Sequence, residues 1–196
     1  MGKENKERKE DKTKRNIFNL HSCINQIKIF FKVNKPGRLR SIAEECVQEF
    51  GISKDNNIFY ASLIAYSLSK IIQKPRYKKI IPELSSKINK KLDNAIAQAK
   101  AEKTAALRGT LGSIMIEIAS MEKVDERFVS NVIEKGRLKI AAVLYAQGLS
   151  LDTAVSLTGA RRNEVLEYTG GTLMADRFGK TLSAKQRLTY ARKLLK

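Results

Sequence analysis

Hydrophobic positions recur at intervals of three and four along most of this chain, and alternation at period two is weak throughout. Ile17, Leu20, Ile24, Ile27, Phe30 and Phe31 mark a first helix over 17–33, with a strand as the alternative for IKIFFKV. Pro36-Gly37 breaks the pattern. From Arg38 to Phe50, the residues Leu39, Ile42, Ala43, Cys46, Val47 and Phe50 share one helical face, and Gly51 is placed to end it. Asp55 or Asn56 can cap the next helix, which carries Ile58, Phe59, Leu63, Ile64, Tyr66, Leu68, Ile71 and Ile72 and stops before Pro75. Apolar residues cover much of its circumference, so it is expected at the centre of the first half. A longer helix is predicted from Pro82, in its first turn, to Ala106, with Leu84, Ile88, Leu92, Ile96 and Ala99 inward. Gly109 and Gly112 are expected to interrupt or bend the pattern that follows.

The second half starts near Asp125. Phe128, Val129, Val132, Ile133, Gly136, Ile140, Val143 and Leu144 form a long stripe that Gln147-Gly148 ends. Short helical segments follow at Leu151–Thr158 and Arg161–Thr169, then Gly170-Gly171, and a last helix over about 183–195. With only three prolines and no strand periodicity, the predicted class is all-α, a helical N-terminal part plus a C-terminal helix-turn-helix module. The expected organisation is a disordered basic arm over 1–15, a partner or dimerisation region over 16–108, a connecting segment over 109–124 and the helix-turn-helix-like domain over 125–196.

Composition narrows the function classes. The 196 residues include 42% apolar side chains, enough for a core, but no run approaches the roughly 18 needed to span a bilayer. The first 15 residues hold no apolar stretch of the secretory kind. Cys23 and Cys46 are too few for a disulfide framework or a zinc site, and a reducing cytoplasm is the natural expectation. With 38 basic against 20 acidic side chains, the formal charge is +18, which points to polyanionic partners. Residues 1–40 hold 12 basic and 4 acidic side chains, and residues 69–108 hold 11 and 3. The second block places Lys70, Lys74, Arg76, Lys78 and Lys79 around Tyr77, a pattern that suits RNA or single strands as well as a solvated loop.

Residues 144–170, LYAQGLSLDTAVSLTGARRNEVLEYTG, carry the one motif with a mechanism. Ser150 or Asp152 supplies an N-cap, and Leu151, Ala154, Val155 and Thr158 face inward. Gly159 makes the sharp turn, and Ala160, Val165 and Tyr168 pack the second short helix on the first. A small residue usually stands four positions before the turn glycine; here it is Val155. The second helix would enter a major groove by its N-terminal end, which holds Arg161, Arg162 and Asn163. Arg reads guanine and Asn reads adenine through paired hydrogen bonds. Glu164 and Glu167 oppose this, and the segment holds two basic against three acidic side chains. Arg177, Lys185 and Arg192 in the tail are candidate backbone contacts.

The stretch GLSLDTAVSLTGARRNEVLEY resembles the short helix-turn-helix of antitoxin-type proteins that partner PIN-domain nucleases. Together with NIFYASLIAYSLSKII upstream, it is similar to a group of archaeal helix-turn-helix proteins. These resemblances imply a DNA-binding-like helical module, and the first of them implies a nuclease partner.

No catalytic constellation is legible. His21 is the only histidine and has no recognisable partner, no phosphate loop is present, and the carboxylates lack metal-ligand spacing. The expected protein is not an enzyme and needs no cofactor or metal. It is expected to be a nucleic-acid-binding protein, most simply a regulator of duplex DNA, with a homodimer or protein partner left open and no membrane association. The alternatives are an RNA- or ribosome-associated basic protein and an antitoxin-like protein–protein adaptor.

Overall fold

A computed structural model describes residues 18–75, 81–122 and 132–172, with two further positions at 188 and 192. Among the described residues there are eight helices and no strand, so the chain is all-α. They are α1 (Leu20–Lys32), α2 (Pro36–Ser53), α3 (Asn56–Gln73), α4 (Ile81–Lys100), α5 (Thr104–Glu122), α6 (Val132–Ala146), α7 (Leu151–Thr158) and α8 (Arg162–Thr172). IKIFFK lies in α1 with Val33 as its C-cap, which settles the strand alternative for IKIFFKV.

Helix α3 is the central element and packs against α1, α2, α5 and α6. Its burial runs almost around the helix, because small residues (Ala61, Ser62, Ala65, Ser67, Ser69) alternate with Ile58, Phe59, Leu63, Ile64, Leu68 and Ile71. The small side chains let neighbouring helices approach. The Ser62 and Ser69 hydroxyls donate back to the Phe59 and Tyr66 carbonyls, at 2.7 and 2.6 Å, so they enter the core satisfied. Phe59 packs on Phe50 of α2 with ring centroids 5.1 Å apart.

Helix ends show which local signals won. Asp55 caps α3, its Oδ1 accepting from the Asn57 N–H at 2.8 Å. Pro82 lies in the first turn of α4. Gly51 does not end α2: it is buried inside the helix, and the left-handed residue is Lys54, whose N–H reaches the Phe50 carbonyl at 2.8 Å. The long helix predicted to Ala106 stops at Lys100. Glu102 adopts φ 55°, its N–H donates to Ala99 and that of Lys103 to Gln98, closing α4 with a Schellman motif.

The expected break at Gly109 and Gly112 is absent, because α5 runs through both. Each mid-helix glycine costs about 1 kcal/mol relative to alanine. Leu107, Leu111, Ile114, Met115 and Ile118 on the same helix are buried, at roughly 1.5–3 kcal/mol each, which outweighs that cost. Leu111, Ile114, Met115 and Ile118 thus join the core from a segment that the sequence suggests as a connector. Lys91 of α4 and Glu117 of α5 are ion-paired at 2.7 Å across the α4–α5 hairpin. Gly170-Gly171 likewise lie inside α8, which continues to Thr172.

Helix α6 packs on α3, α2 and α5 and also carries α7 and α8. The last three helices are thus seated on the same core as the first five. The expected arm over 1–15, the Tyr77 segment and most of the expected terminal helix lie outside the described residues. Leu188, within that expected helix, is 56% exposed. No helix among the described residues is long and apolar enough to cross a membrane.

Candidate nucleic-acid interface

Gly159, Ala160 and Arg161 alone separate α7 from α8. Ser150, and not Asp152, caps α7: its Oγ accepts from the Thr153 N–H at 3.1 Å. Gly159 is left-handed at φ 68°, and its N–H donates to the Val155 carbonyl at 2.8 Å. Thr158 is buried; its hydroxyl donates to the Ala154 carbonyl at 2.7 Å and accepts from the Ala160 N–H at 3.3 Å. Ala154 and Val165 are fully buried. The fully buried small residue of α7 is Ala154, one position before the half-buried Val155.

Arg137 of α6 fixes this turn from below. Its Nη1 donates to the Thr158 carbonyl at 2.9 Å, and its guanidinium carbon lies 5.8 Å from the Phe59 ring centroid. A Cβ on Gly159 would come within 2.8 Å of that same Nη1. One side chain therefore links the central helix, α6 and the α7–α8 turn.

At the start of α8, Arg161 and Arg162 have side chains 80% and 54% exposed, and Asn163 is exposed beside them. Both arginines hold a carboxylate of the chain. Arg161 pairs with Glu164 at 3.1 Å, and Arg162 pairs with Asp152 of α7. Exposed pairs of this kind contribute about 0–1 kcal/mol, so a phosphate can displace either one. Arg177 and Lys185 lie outside the described residues; Arg192 is an exposed helical position.

The fold also assembles a cationic group that sequence reasoning missed. Lys70 of α3 and Lys139 of α6 both approach the ring of Tyr66, with Nζ atoms 5.5 and 5.2 Å from its centroid. Lys74 is the extended C-cap of α3, four residues beyond Lys70, and Lys135 lies one turn before Lys139 on α6. Arg40 of α2 lines the same cleft and donates to Gln73 at 2.7 Å, with Glu44 3.8 Å from Lys139 as the neighbouring acid. Burial holds the Lys70 ammonium below its ordinary pKa, and Arg40, Lys139, Lys74 and Lys135 add to that effect. Burial also pushes the Tyr66 phenol up, assisted by Tyr168 of α8 and opposed by Arg40. The available sequence signal was the i, i+4 spacing of two lysine pairs, which does not show that the pairs meet.

Gly136 is why they meet. A Cβ there would lie 2.5 Å from Leu63 Cδ1 and 3.1 Å from Tyr66 Cδ1, so any larger residue would force these side chains to shift where α6 crosses α3. Lys135 and Lys139 flank that crossing. Comparison with protein-family models, curated proteins and solved structures gave no match to this chain.

Proposed function

We propose that this chain binds nucleic acid, with duplex DNA as the ligand and α8 as the element presented to the major groove. The observation that carries this reading is the three-residue turn at left-handed Gly159, which leaves Arg161, Arg162 and Asn163 exposed at the start of α8. Arg161 and Arg162 contact guanine or phosphate, Asn163 contacts adenine, and Arg192 adds a backbone contact, as do Arg177 and Lys185. A good paired contact to a base is worth about 1–3 kcal/mol of discrimination. The test is fluorescence anisotropy of the full chain on labelled duplex DNA over a salt series. R161A/R162A is expected to weaken binding by roughly 10-fold or more and to flatten the salt dependence. Unchanged affinity and salt slope would remove α8 from the interface.

A second reading, a protein–protein adaptor, is favoured by Tyr145 on α6 and Leu166 on α8, which are 38% and 44% exposed in the module whose arginines are already paired. The two readings separate by salt. An apolar contact persists as salt is raised, whereas phosphate binding falls steeply.

A further inference from the structure

The cations grouped near Lys70 and Tyr66 come from three parts of the fold and lie far apart in sequence. Arg40 is on α2, Lys70 on α3 with Lys74 as the C-cap of that helix, and Lys135 and Lys139 on α6. Bringing like charges together is unfavourable, and nothing in core packing requires it: α6 could cross α3 with neutral residues beside Gly136. Among the described residues Glu44 is the one carboxylate lining the cleft, and it meets Lys139 only at 3.8 Å. The cleft between α2, α3 and α6 has an apolar floor of Ala43, Val47, Ile140 and Val143, with Arg40 and Lys139 at its edge. Lys135 is exposed and Lys70 half-buried, so the ammonium groups remain reachable from solvent. The Arg40 Nε is buried without a partner, although the Nη2 is held by Gln73. Lys70 and Lys139 over one ring, with Arg40 in the same cleft, are donors of one sign preset by three helices, and such a group suits a dianionic or polyanionic oxygen ligand.

We propose that Arg40, Lys70, Lys74, Lys135 and Lys139 form a phosphate-binding site, and that the phosphate belongs to the nucleic-acid backbone. The backbone assignment rests on the proposed function above; the phosphate site does not. Tyr168 of α8 lies near enough to Tyr66 to influence its phenol, so the site adjoins the helix-turn-helix on its α8 side. It would hold a phosphate outside the segment read by Arg161 to Asn163, extending the interface without reading sequence.

The test uses K70Q/K135Q in the full chain, since both substitutions relieve repulsion and leave Gly136, Arg137 and the ion-paired Lys139 in place. The variant should melt within a few degrees of the wild type, relieved repulsion offsetting the lost Lys70–Tyr66 contact. On duplex DNA its log affinity against log salt should be shallower by about 0.9 for each phosphate no longer neutralised, between one and two such steps. A folded variant with unchanged affinity and slope overturns the backbone assignment. If the wild-type chain binds no duplex at all, the proposed function fails instead, and titration calorimetry with inorganic tripolyphosphate then decides the site by itself. Saturable binding that K70Q/K135Q abolishes upholds a phosphate site for a free ligand. Absence of binding, or binding that the variant retains, overturns it.

Discussion

Gly136, Gly109 and Gly112 are the same residue type in helix interiors with opposite expected effects. At Gly136 an added methyl meets Leu63, itself fully buried, at 2.5 Å. Gly136→Ala should therefore cost about 1–3 kcal/mol, seen as a lower urea midpoint at unchanged m-value. At Gly109 and Gly112 nothing lies within 4 Å of the added methyl, so alanine should stabilise by about 0.5–1 kcal/mol in the same assay. A second residue-scale expectation concerns Cys46. Its Sγ lies 2.8 Å from that of Cys23, and this contact, then burial, push its thiol well above the ordinary value of 9.0. The folded state thus keeps a proton that the unfolded state loses. The stability this contributes is complete below about pH 9 and declines as pH rises above it. Tyr66 acts in the same direction above about pH 10, while the lowered Lys70 acts oppositely as pH approaches 10.5. Denaturation midpoints should fall between pH 9 and 10, and Cys46→Ala should flatten that fall even though it lowers stability at pH 7.

At the scale of elements, pattern and caps carried far. The stripe from Ile58 to Ile72 identified α3 as central, Asp55 capped it, and Gly159 turned α7 into α8 where the pattern placed them. Some signals that depend on one residue's propensity failed, at Gly109 and Gly112 because buried neighbours on the same helix outweigh them. Gly109, Gly112, Gly170 and Gly171 continue helices, and Glu102, a poor candidate for φ 55°, ends one. A left-handed non-glycine residue costs roughly 1–2 kcal/mol, which the packing of α4 on α5 exceeds. The ion pairs on the α7–α8 hairpin make an element-scale prediction. Asp152 and Glu164 compete with phosphate for Arg162 and Arg161. D152N/E164Q should raise duplex affinity several-fold at low salt, measured by anisotropy, with little change in melting temperature because exposed pairs contribute about 0–1 kcal/mol. A fall in affinity would mean that the carboxylates orient the arginines for binding.

For the whole molecule, the net charge of +18 and the all-helical class were both legible from residue counts and spacing. So was the candidate turn, because a tight helix-to-helix connection needs a residue free to take positive φ, and glycine advertises that locally. Where the charge acts was not legible. In sequence the positive blocks and the helix-turn-helix lie apart, and residues 144–170 are slightly acidic. In the fold α6 crosses α3 at Gly136, seats Lys135 and Lys139 beside Lys70 and Lys74, and carries α8 on its other contacts. The sequence by itself determined helix content, the central apolar helix, the turn glycine and the sign of the charge, since each depends on neighbours within one or two turns. Only the tertiary structure decided that Lys70 and Lys139 meet over the Tyr66 ring with Arg40 in the same cleft, that Arg137 fastens the turn to Phe59, and that Gly136 is a close contact between α6 and α3. Those are distances between residues remote along the chain, set by how closely two helices can approach, and no local pattern encodes them.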